Sequence, residues 1–352
     1  MSEGVRLYAG TQHGLFIWRS TNNNDWEQVG RTFSDGIVDA IFGCKQTPER
    51  VFVGVTHDGL YRTSDGGKSW VKVLDGDIRS VTVDPTDDKV IYSGFEPVAL
   101  FRSEDGGDHW EELTALKKLP DEVRKNWWFP QPPHLGHVRN IFIHPDNPSI
   151  IYLCIEHGGI ACSFDRGQSW EDVSKGIDYL DIHVIANLPR RQDRYFVATA
   201  RGFFTSDKPE HGWVRAENGL SRNYFHDFLF LPPDKPGESP IMLLATADGS
   251  PGFWRRENRG ARAALFTSND NAQSWQRVTH GLADDLDSMI WALVHHPHEP
   301  RTVFAGIGNV SRGHASGAGG AGDLMISRDR GHSWERLDIN LPADRVLWAA
   351  PE

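Results

Sequence analysis

The amino-acid sequence predicts an all-β fold, a seven-bladed β-propeller of four-stranded antiparallel blades. Three observations predict it. A short turn motif recurs along the chain, apolar strand-like runs surround each copy, and the composition includes 13 Trp and 35 Gly but only 4 Met. Tryptophan favours strands and glycine favours turns. We expect the 352 residues to form one domain, 1–352.

The turn motif, called the box turn below, reads TSDGGKSW at 63–70. Close copies are SEDGGDHW (103–110), SFDRGQSW (163–170), SNDNAQSW (268–275) and SRDRGHSW (327–334). Weaker copies end at Trp26 and Trp213. The hydroxyl and carboxylate side chains can bond turn amides, so the aspartates are predicted to be architectural. The motif resembles the Asp-box, or BNR, repeat of sialidase- and sortilin-like β-propellers.

The spacing of the motif predicts the number of blades and how the ring closes. The seven motif tryptophans are separated by 44, 40, 60, 43, 62 and 59 residues, lengths typical of propeller blades. Two apolar runs precede most copies, as in IRSVTVDP and KVIYSGF. The chain begins on a run of the second type and ends on DRVLWAAP, a run of the first type. We therefore expect the C-terminal strand to join the N-terminal blade, which removes open sheet edges.

Three blades carry insertions, which the predicted topology places on one face of the ring. They are residues 115–136, 248–262 and 309–321. Long loops in a compact domain usually serve a function. The first insertion is rich in aromatic residues and proline, so we expect it to form a lid over the mouth of the axial channel.

Aligning the repeats places polar side chains at equivalent strand ends, where they are predicted to ring the channel mouth. The predicted catalytic residues are His57, His183, His226, Glu96 and Glu156. The predicted substrate-binding residues are Arg79, Arg139, Arg345, Trp128 and Trp291. Each could instead be a hydrated channel residue, and the arginines could instead neutralise Asp39, Glu96 and Glu156.

The residue types in this ring suggest two kinds of chemistry. Imidazole and carboxylate groups together suit Zn, Mn or non-haem Fe, and the predicted ligands are His57, His157, His183 and His226. Metal-free acid–base catalysis by the same histidines is the open alternative, because their ordinary pKa is near neutrality. Arginine forks suit carboxylates, so a small anionic, carboxylate-bearing substrate is predicted.

The predicted function is therefore an enzyme that acts on a small anionic substrate by metal- or histidine-assisted hydrolysis or elimination. The resemblance implies a first alternative, a sialidase-like or uronate-active glycosidase or lyase. The Arg-Ile-Pro motif usual in sialidases is absent, and Tyr224 or Tyr179 would have to serve as nucleophile. The second alternative is a non-catalytic binding or assembly propeller, as in sortilin ectodomains and photosystem assembly factors of this repeat class.

Bulk properties exclude some partners. The net charge of −11 argues against binding to nucleic acid or to an anionic membrane surface. No apolar run approaches the about 20 residues that a membrane helix needs, and the N-terminus does not resemble a signal peptide. The cysteines Cys44, Cys154 and Cys162 are too few for a disulfide scaffold, so a cytoplasmic location is predicted. Cys154 and Cys162 could face each other across a hairpin, and the oligomeric state stays open.

Overall fold

A computed structural model describes residues 4–189, 191–233, 235, 237–256, 260–308, 321–339, 341–342 and 344–351. The fold is the predicted all-β, seven-bladed propeller of antiparallel sheets. The described residues divide into two compact units. Unit 1 comprises Met1–Val38, Ala200–Gly202 and Ala216–Glu352, and unit 2 comprises Asp39–Thr199 and Phe203–Arg215.

The blades follow one another in chain order. Blade 1 begins with β1 (Val5–Thr11), β2 (Gly14–Ser20) and β3 (Glu27–Thr32). Blade 2 contains β4 (Val38–Gly43), β5 (Val51–Val55), β6 (Gly59–Thr63) and β7 (Val71–Asp75). Blade 3 contains β8 (Ile78–Asp84), β9 (Asp87–Phe95), β10 (Leu100–Ser103) and β11 (Glu111–Glu112). Blade 4 contains β12 (His137–Ile143), β13 (Ile151–Glu156), β14 (Gly159–Ser163) and β15 (Glu171–Asp172).

The remaining blades have the same order. Blade 5 contains β16 (Ile182–Leu188), β17 (Arg191–Thr199), β18 (Gly202–Ser206) and β19 (Val214–Arg215). Blade 6 contains β20 (Tyr224–Leu231), β21 (Ile241–Ala247), β22 (Ala264–Ser268) and β23 (Gln276–Arg277). Blade 7 contains β24 (Met289–His295), β25 (Val303–Gly308), β26 (Ala321–Ser327) and β27 (Glu335–Arg336). A further strand, β28 (Leu341–Pro342), pairs with β26.

The last strand, β29 (Asp344–Pro351), closes blade 1 as the sequence predicts. It pairs antiparallel with β1 from Val5 opposite Pro351 to Thr11 opposite Asp344. The helical segments are short: 3₁₀ turns at Thr114–Lys118 and Pro209–His211, α1 at Asp121–Arg124 and α2 at Pro251–Arg256. Within the described part of the chain, no helix is long and apolar enough to cross a bilayer.

The hydrophobic core lies between consecutive blades. One cluster joins Tyr92 and Leu100 of blade 3 to Ile141 and Leu153 of blade 4. Both faces of the inner strands are therefore covered, and every residue of Val51–Val55 is buried. This packing explains why the apolar runs are continuous rather than alternating.

The box turns hold the outer strands in the predicted way. In blade 4, Asp165 Oδ1 accepts hydrogen bonds from Ser163 Oγ at 2.8 Å and from the Ser169 amide at 2.8 Å. The hydroxyl and amide of Ser169, followed by Ser163, stabilise this carboxylate and lower the pKa of Asp165. In the weaker copy of blade 1, Asn22 Oδ1 accepts from the amides of Asn24 and Asp25, both at 2.9 Å. The box aspartates are therefore occupied by the turn itself.

The cysteine hairpin differs from the prediction. Cys154 lies opposite Ile160, and Cys162 lies opposite Tyr152, because the β13–β14 register is set by the turn that follows Glu156. The two thiols therefore do not face each other. All three cysteines are free and buried, and burial raises the pKa of Cys162 to about 12.

Candidate functional site

In unit 2, charged side chains from the ends of blades 2 to 5 form two neighbouring groups of ion pairs, together called the polar cluster below. Its members are Asp39, His57, Asp77, Arg79, Glu96, His137, Arg139, Glu156, His157, Asp181 and His183. Most are predicted site or ring residues. Asp77, His137 and Asp181 were not predicted.

Arg79 is the centre of the blade 2 and blade 3 end of the cluster. Its guanidinium nitrogens lie 3.3 Å from Asp39 Oδ2, 3.2 Å from Asp77 Oδ2 and 2.8 Å from Glu96 Oε2. The side chain is 11% exposed. Arg79 is therefore within ion-pair distance of three carboxylates, the contacts that its alternative, charge-neutralising role requires.

His57 lies in the turn between β5 and β6 and is anchored by Asp77. Its ring Nδ1 is 2.7 Å from Asp77 Oδ2, and its backbone amide donates to Asp77 Oδ1 at 3.1 Å. The backbone has φ of 60°, a region uncommon for residues other than glycine. The side chain is 72% exposed, so the far edge of the imidazole faces solvent.

His137, the first residue of β12, joins the two glutamates. Its Nδ1 lies 3.2 Å from Glu96 Oε2 and its Nε2 lies 2.8 Å from Glu156 Oε2. Burial opposes protonation of this ring, but the charges and hydrogen bonds of the two carboxylates outweigh it and raise the pKa of His137. The two carboxylates therefore favour the protonated form of His137 relative to an isolated buried imidazole.

The glutamates are correspondingly kept ionised. Burial alone would raise the pKa of Glu96, but the hydrogen bond from His137 and the charge of Arg79 lower it. Against burial, Arg139 at 2.8 Å and His137 hold the pKa of Glu156 well below its usual range. Neither glutamate is a protonated carboxylic acid near neutral pH.

The blade 4 and blade 5 end of the cluster is built around Asp181. His157 Nε2 lies 3.2 Å from Asp181 Oδ2, and His183 Nε2 lies 3.6 Å from Asp181 Oδ1. Asp181 is 7% exposed, and no described residue donates a hydrogen bond to its Oδ1. His157, like His57, lies in a turn with positive φ, here 56°. The charge of His183 helps to lower the pKa of Glu156, which links this end to the glutamates.

The three missed residues share one position in the repeat. Asp77, His137 and Asp181 each precede a predicted residue by two positions, namely Arg79, Arg139 and His183. A spacing of two is the spacing at which strand residues share a face. This two-residue offset was the sequence signal that could have identified Asp77, His137 and Asp181 as members of the cluster.

The first insertion contributes aromatic rings to the cluster. Trp127 packs over the turn that follows β13, where a Cβ on Gly158 would lie 2.8 Å from Trp127 Cδ1. The Phe129 ring lies 5.4 Å from the His157 ring and 5.6 Å from the His137 ring. Trp128, the predicted residue, is 50% exposed and stacks on His134 at 4.9 Å. Phe129 therefore lies against the cluster, Trp127 packs on the adjoining turn, and Trp128 faces solvent.

In unit 1, the predicted residues His226 and Trp291 lie together in an aromatic group. Their rings are 4.7 Å apart and nearly perpendicular. Trp254, from α2 in the second insertion, lies 5.4 Å from Tyr224 and 6.4 Å from Trp291. This insertion therefore covers the His226 group.

Two predicted features fall outside what the structure describes. The insertion at 309–321 lies outside the described residues except for Ala321, and Arg345 lies on β29 with its side chain outside the described set. Across the described ranges, no group of three or more His, Cys, Asp or Glu side chains is arranged to hold a metal ion. The metal centre stays a prediction.

The sheets and their order define a protein of the seven-bladed β-propeller class, and no protein-family model matches the chain. The oligoxyloglucan-reducing end-specific xyloglucanase of Emericella nidulans is 23% identical over 221 residues, which are 60% of this chain and 25% of that enzyme.

Solved structures extend this likeness. The GH74 enzyme of Niastella koreensis matches with a TM-score of 0.63 and 14% identity, over 86% of this chain and 45% of that one. A YCF48 structure bound to a D1 peptide matches with a TM-score of 0.56 and 18% identity, over 86% of both chains. The chain thus spans a quarter of the xyloglucanase and less than half of the GH74 enzyme. At these identities the shared feature is the fold.

Proposed function

We propose that the chain is an enzyme that performs histidine-assisted hydrolysis or elimination at the polar cluster, with His157 as the proton-transfer group. The observation that carries the proposal is the His157–Asp181 pair, joined at 3.2 Å through Nε2. No described residue hydrogen-bonds the other ring nitrogen, Nδ1. A carboxylate behind a histidine orients the ring and stabilises the imidazolium that forms when the histidine takes a proton.

The surroundings of His157 support this role. Its side chain is 17% exposed, and the Phe129 and Tyr179 rings lie 5.4 Å and 5.8 Å away at steep angles. A reacting group beside the ring would therefore be partly shielded from water, which strengthens electrostatic interactions there. The unusual backbone φ of His157 supports the same view, because strained residues concentrate at functional sites.

The choice of histidine over a carboxylic acid follows from the charges. A glycosidase of the common two-carboxylate type needs one carboxyl group with a raised pKa. The pKa values of Glu96 and Glu156 are both lowered, because arginine and His137 stabilise their ionised forms against burial. If the substrate is a glycoside, as the likeness to a xyloglucanase suggests, we propose that the proton comes from His157.

Two finer parts of the sequence prediction stay predictions. Assistance by a divalent metal is the alternative form of the same enzyme, and elemental analysis tests it. An anionic substrate would have to bind Arg79 or Arg139, whose guanidinium groups are already 2.8 Å from Glu96 and Glu156. Such a substrate would therefore compete with these carboxylates.

The test is a substrate panel assayed with matched variants. The panel comprises 4-nitrophenyl esters, glycosides and glucuronides, together with xyloglucan oligosaccharides. We expect His157→Ala to lower the rate on any accepted substrate by about 10²–10⁴-fold, the usual contribution of a general acid or base. The matched control is His109→Ala, which also removes a histidine–aspartate pair, at 2.6 Å in the blade 3 box turn. An unchanged rate in His157→Ala, or no accepted substrate in the panel, would overturn the proposal.

A second candidate is non-catalytic binding of a polypeptide. It is favoured by the match to the peptide-bound YCF48 structure, which covers 86% of both chains, whereas the GH74 match covers 45% of that enzyme. Saturable binding of a peptide, with no turnover of any panel substrate, would favour this candidate over the enzyme.

A further inference from the structure

The turn that holds His157 in blade 4 has a counterpart in blade 2, the turn that holds His57. In both turns the residue two positions before the histidine pairs with the residue two positions after it. In both, the amide after the histidine donates to the carbonyl two residues before it, at 3.1 Å in blade 2 and 2.9 Å in blade 4. The backbone φ values are 60° and 56°. The two histidines therefore occupy equivalent positions of the repeat.

Each of these histidines contacts an aspartate at the start of the next blade. Asp77 directly precedes β8, and Asp181 directly precedes β16. His57 Nδ1 lies 2.7 Å from Asp77 Oδ2, and His157 Nε2 lies 3.2 Å from Asp181 Oδ2. No residue in the described ranges hydrogen-bonds the other ring nitrogen of His57, Nε2. The arrangement that supports proton transfer by His157 therefore occurs twice, because a carboxylate orients each ring.

A series of ion pairs connects the two histidine–aspartate pairs. Arg79 joins Asp77 to Glu96, with contacts of 3.2 Å and 2.8 Å. His137 joins Glu96 to Glu156, with contacts of 3.2 Å and 2.8 Å. Glu156 directly precedes the histidine of the blade 4 pair. Both pairs therefore belong to one continuous part of the polar cluster.

The two histidines differ in their access to water. The His57 side chain is 72% exposed, whereas the His157 side chain is 17% exposed and has the Phe129 ring 5.4 Å away. General acid–base catalysis uses one group that takes a proton and one that gives a proton. The exposed ring is placed to activate a water molecule, and the sheltered ring is placed to protonate a leaving group.

We propose that His57 is a second catalytic residue of the cluster and acts as the general base of hydrolysis. His57 Nε2 takes a proton from water while the water oxygen bonds to the electrophilic carbon of the substrate. The bond from that carbon to the leaving group breaks, its electron pair stays with the leaving group, and this group takes a proton from His157 Nδ1. One proton is taken up and one is given, and exchange with solvent restores both rings. The inference rests on the proposed function, which requires His157 alone.

The test compares His57→Gly with His109→Gly on a substrate that the wild type accepts, after dialysis against EDTA. Glycine adopts the positive φ of His57 readily, so this substitution removes the imidazole without straining the turn. The control removes another exposed histidine that lies 2.6 Å from an aspartate, in the blade 3 box turn. We expect kcat to fall by about 10²–10⁴-fold in His57→Gly and to stay unchanged in the control. Added imidazole should restore part of the rate of His57→Gly, because the vacated position is open to solvent.

The outcomes separate this inference from the proposed function. A lowered rate in His157→Ala with an unchanged rate in His57→Gly would overturn the inference alone. An unchanged rate in His157→Ala, or no turnover of any panel substrate, would overturn both. Loss of wild-type activity in EDTA, or a loss in His57→Gly that imidazole does not restore, would overturn the role of His57 as a base. His57→Asn, which also tolerates positive φ, replaces the glycine variant if that variant folds poorly.

Discussion

Replacement of His137 by alanine is expected to destabilise the protein strongly and in a pH-dependent way. The imidazole is buried and contacts Glu156 at 2.8 Å and Glu96 at 3.2 Å. Removing one partner of a buried ion pair typically costs about 3–5 kcal/mol, because the other charge stays buried without compensation. Glu156 retains Arg139 and Glu96 retains Arg79, so we expect the lower limit, about 3 kcal/mol.

The sign of the pH dependence follows from the pKa shifts. The pKa of His137 is raised in the folded state, so its contribution is fully present below the unfolded value of about 6.5 and is lost as the pH rises through the folded value. The pKa values of Glu96 and Glu156 are lowered, so their contribution is present above about 4.3 and is lost on acidification. The difference between wild type and His137→Ala should therefore be largest at about pH 5–6 and shrink at alkaline pH.

The assay is urea unfolding followed by circular dichroism across this pH range. His109→Ala serves as the control, because that histidine is exposed in a box turn and its loss should leave the free energy of unfolding unchanged. A loss below about 1 kcal/mol, the size of an ordinary hydrogen bond, would refute the buried ion-pair argument. A loss of equal size at every pH would refute the raised pKa of His137.

Three further predictions concern the first insertion, the pairing of the C-terminal strand with blade 1 and the predicted metal ion. Trp127→Ala should lower the free energy of unfolding by about 3 kcal/mol, because Trp127 packs on a core cluster. Trp128→Ala should leave the free energy of unfolding unchanged, because Trp128 is exposed. Equal urea midpoints for the two variants would contradict this prediction. Deleting residues 343–352 removes the partner of β1 and should lower the urea midpoint of the whole transition, not fray one end. If the predicted metal exists, elemental analysis should find it in the wild type and find less in His157→Ala and His183→Ala; no metal in the wild type, or equal content in all three, would contradict it.

The architecture could be read from the sequence because its signals are local. The hydrogen bonds of the box turn join Ser163, Asp165 and Ser169, which lie within seven residues of one another. The structure of the turn can therefore be predicted without knowing its distant neighbours. The apolar runs recur in a constant order around each box turn, so the strands of each blade can also be recognised locally. The pairing of β29 with β1 followed from counting strand types at the two ends of the chain.

The roles within the polar cluster could not be read in the same way. Arg79 was predicted as a ligand-binding fork, with charge neutralisation as the alternative, and one of its partners, Asp39, lies 40 residues away. Which of the two roles applies depends on distances between strand ends of different blades. Similarly, the loop path after α1 decides that Phe129, and not Trp128, meets the cluster.

The sequence by itself determined the number of blades, their strand order, the closure and the set of strand ends from which polar side chains emerge. These properties depend on short-range hydrogen bonds and on the periodicity of burial, which a linear sequence records. Tertiary structure alone decided that His137 joins Glu96 to Glu156 and that His157 is held by Asp181. Electrostatic contacts form through space at distances near 3 Å, and neighbours at that distance come from strands that the chain order keeps apart.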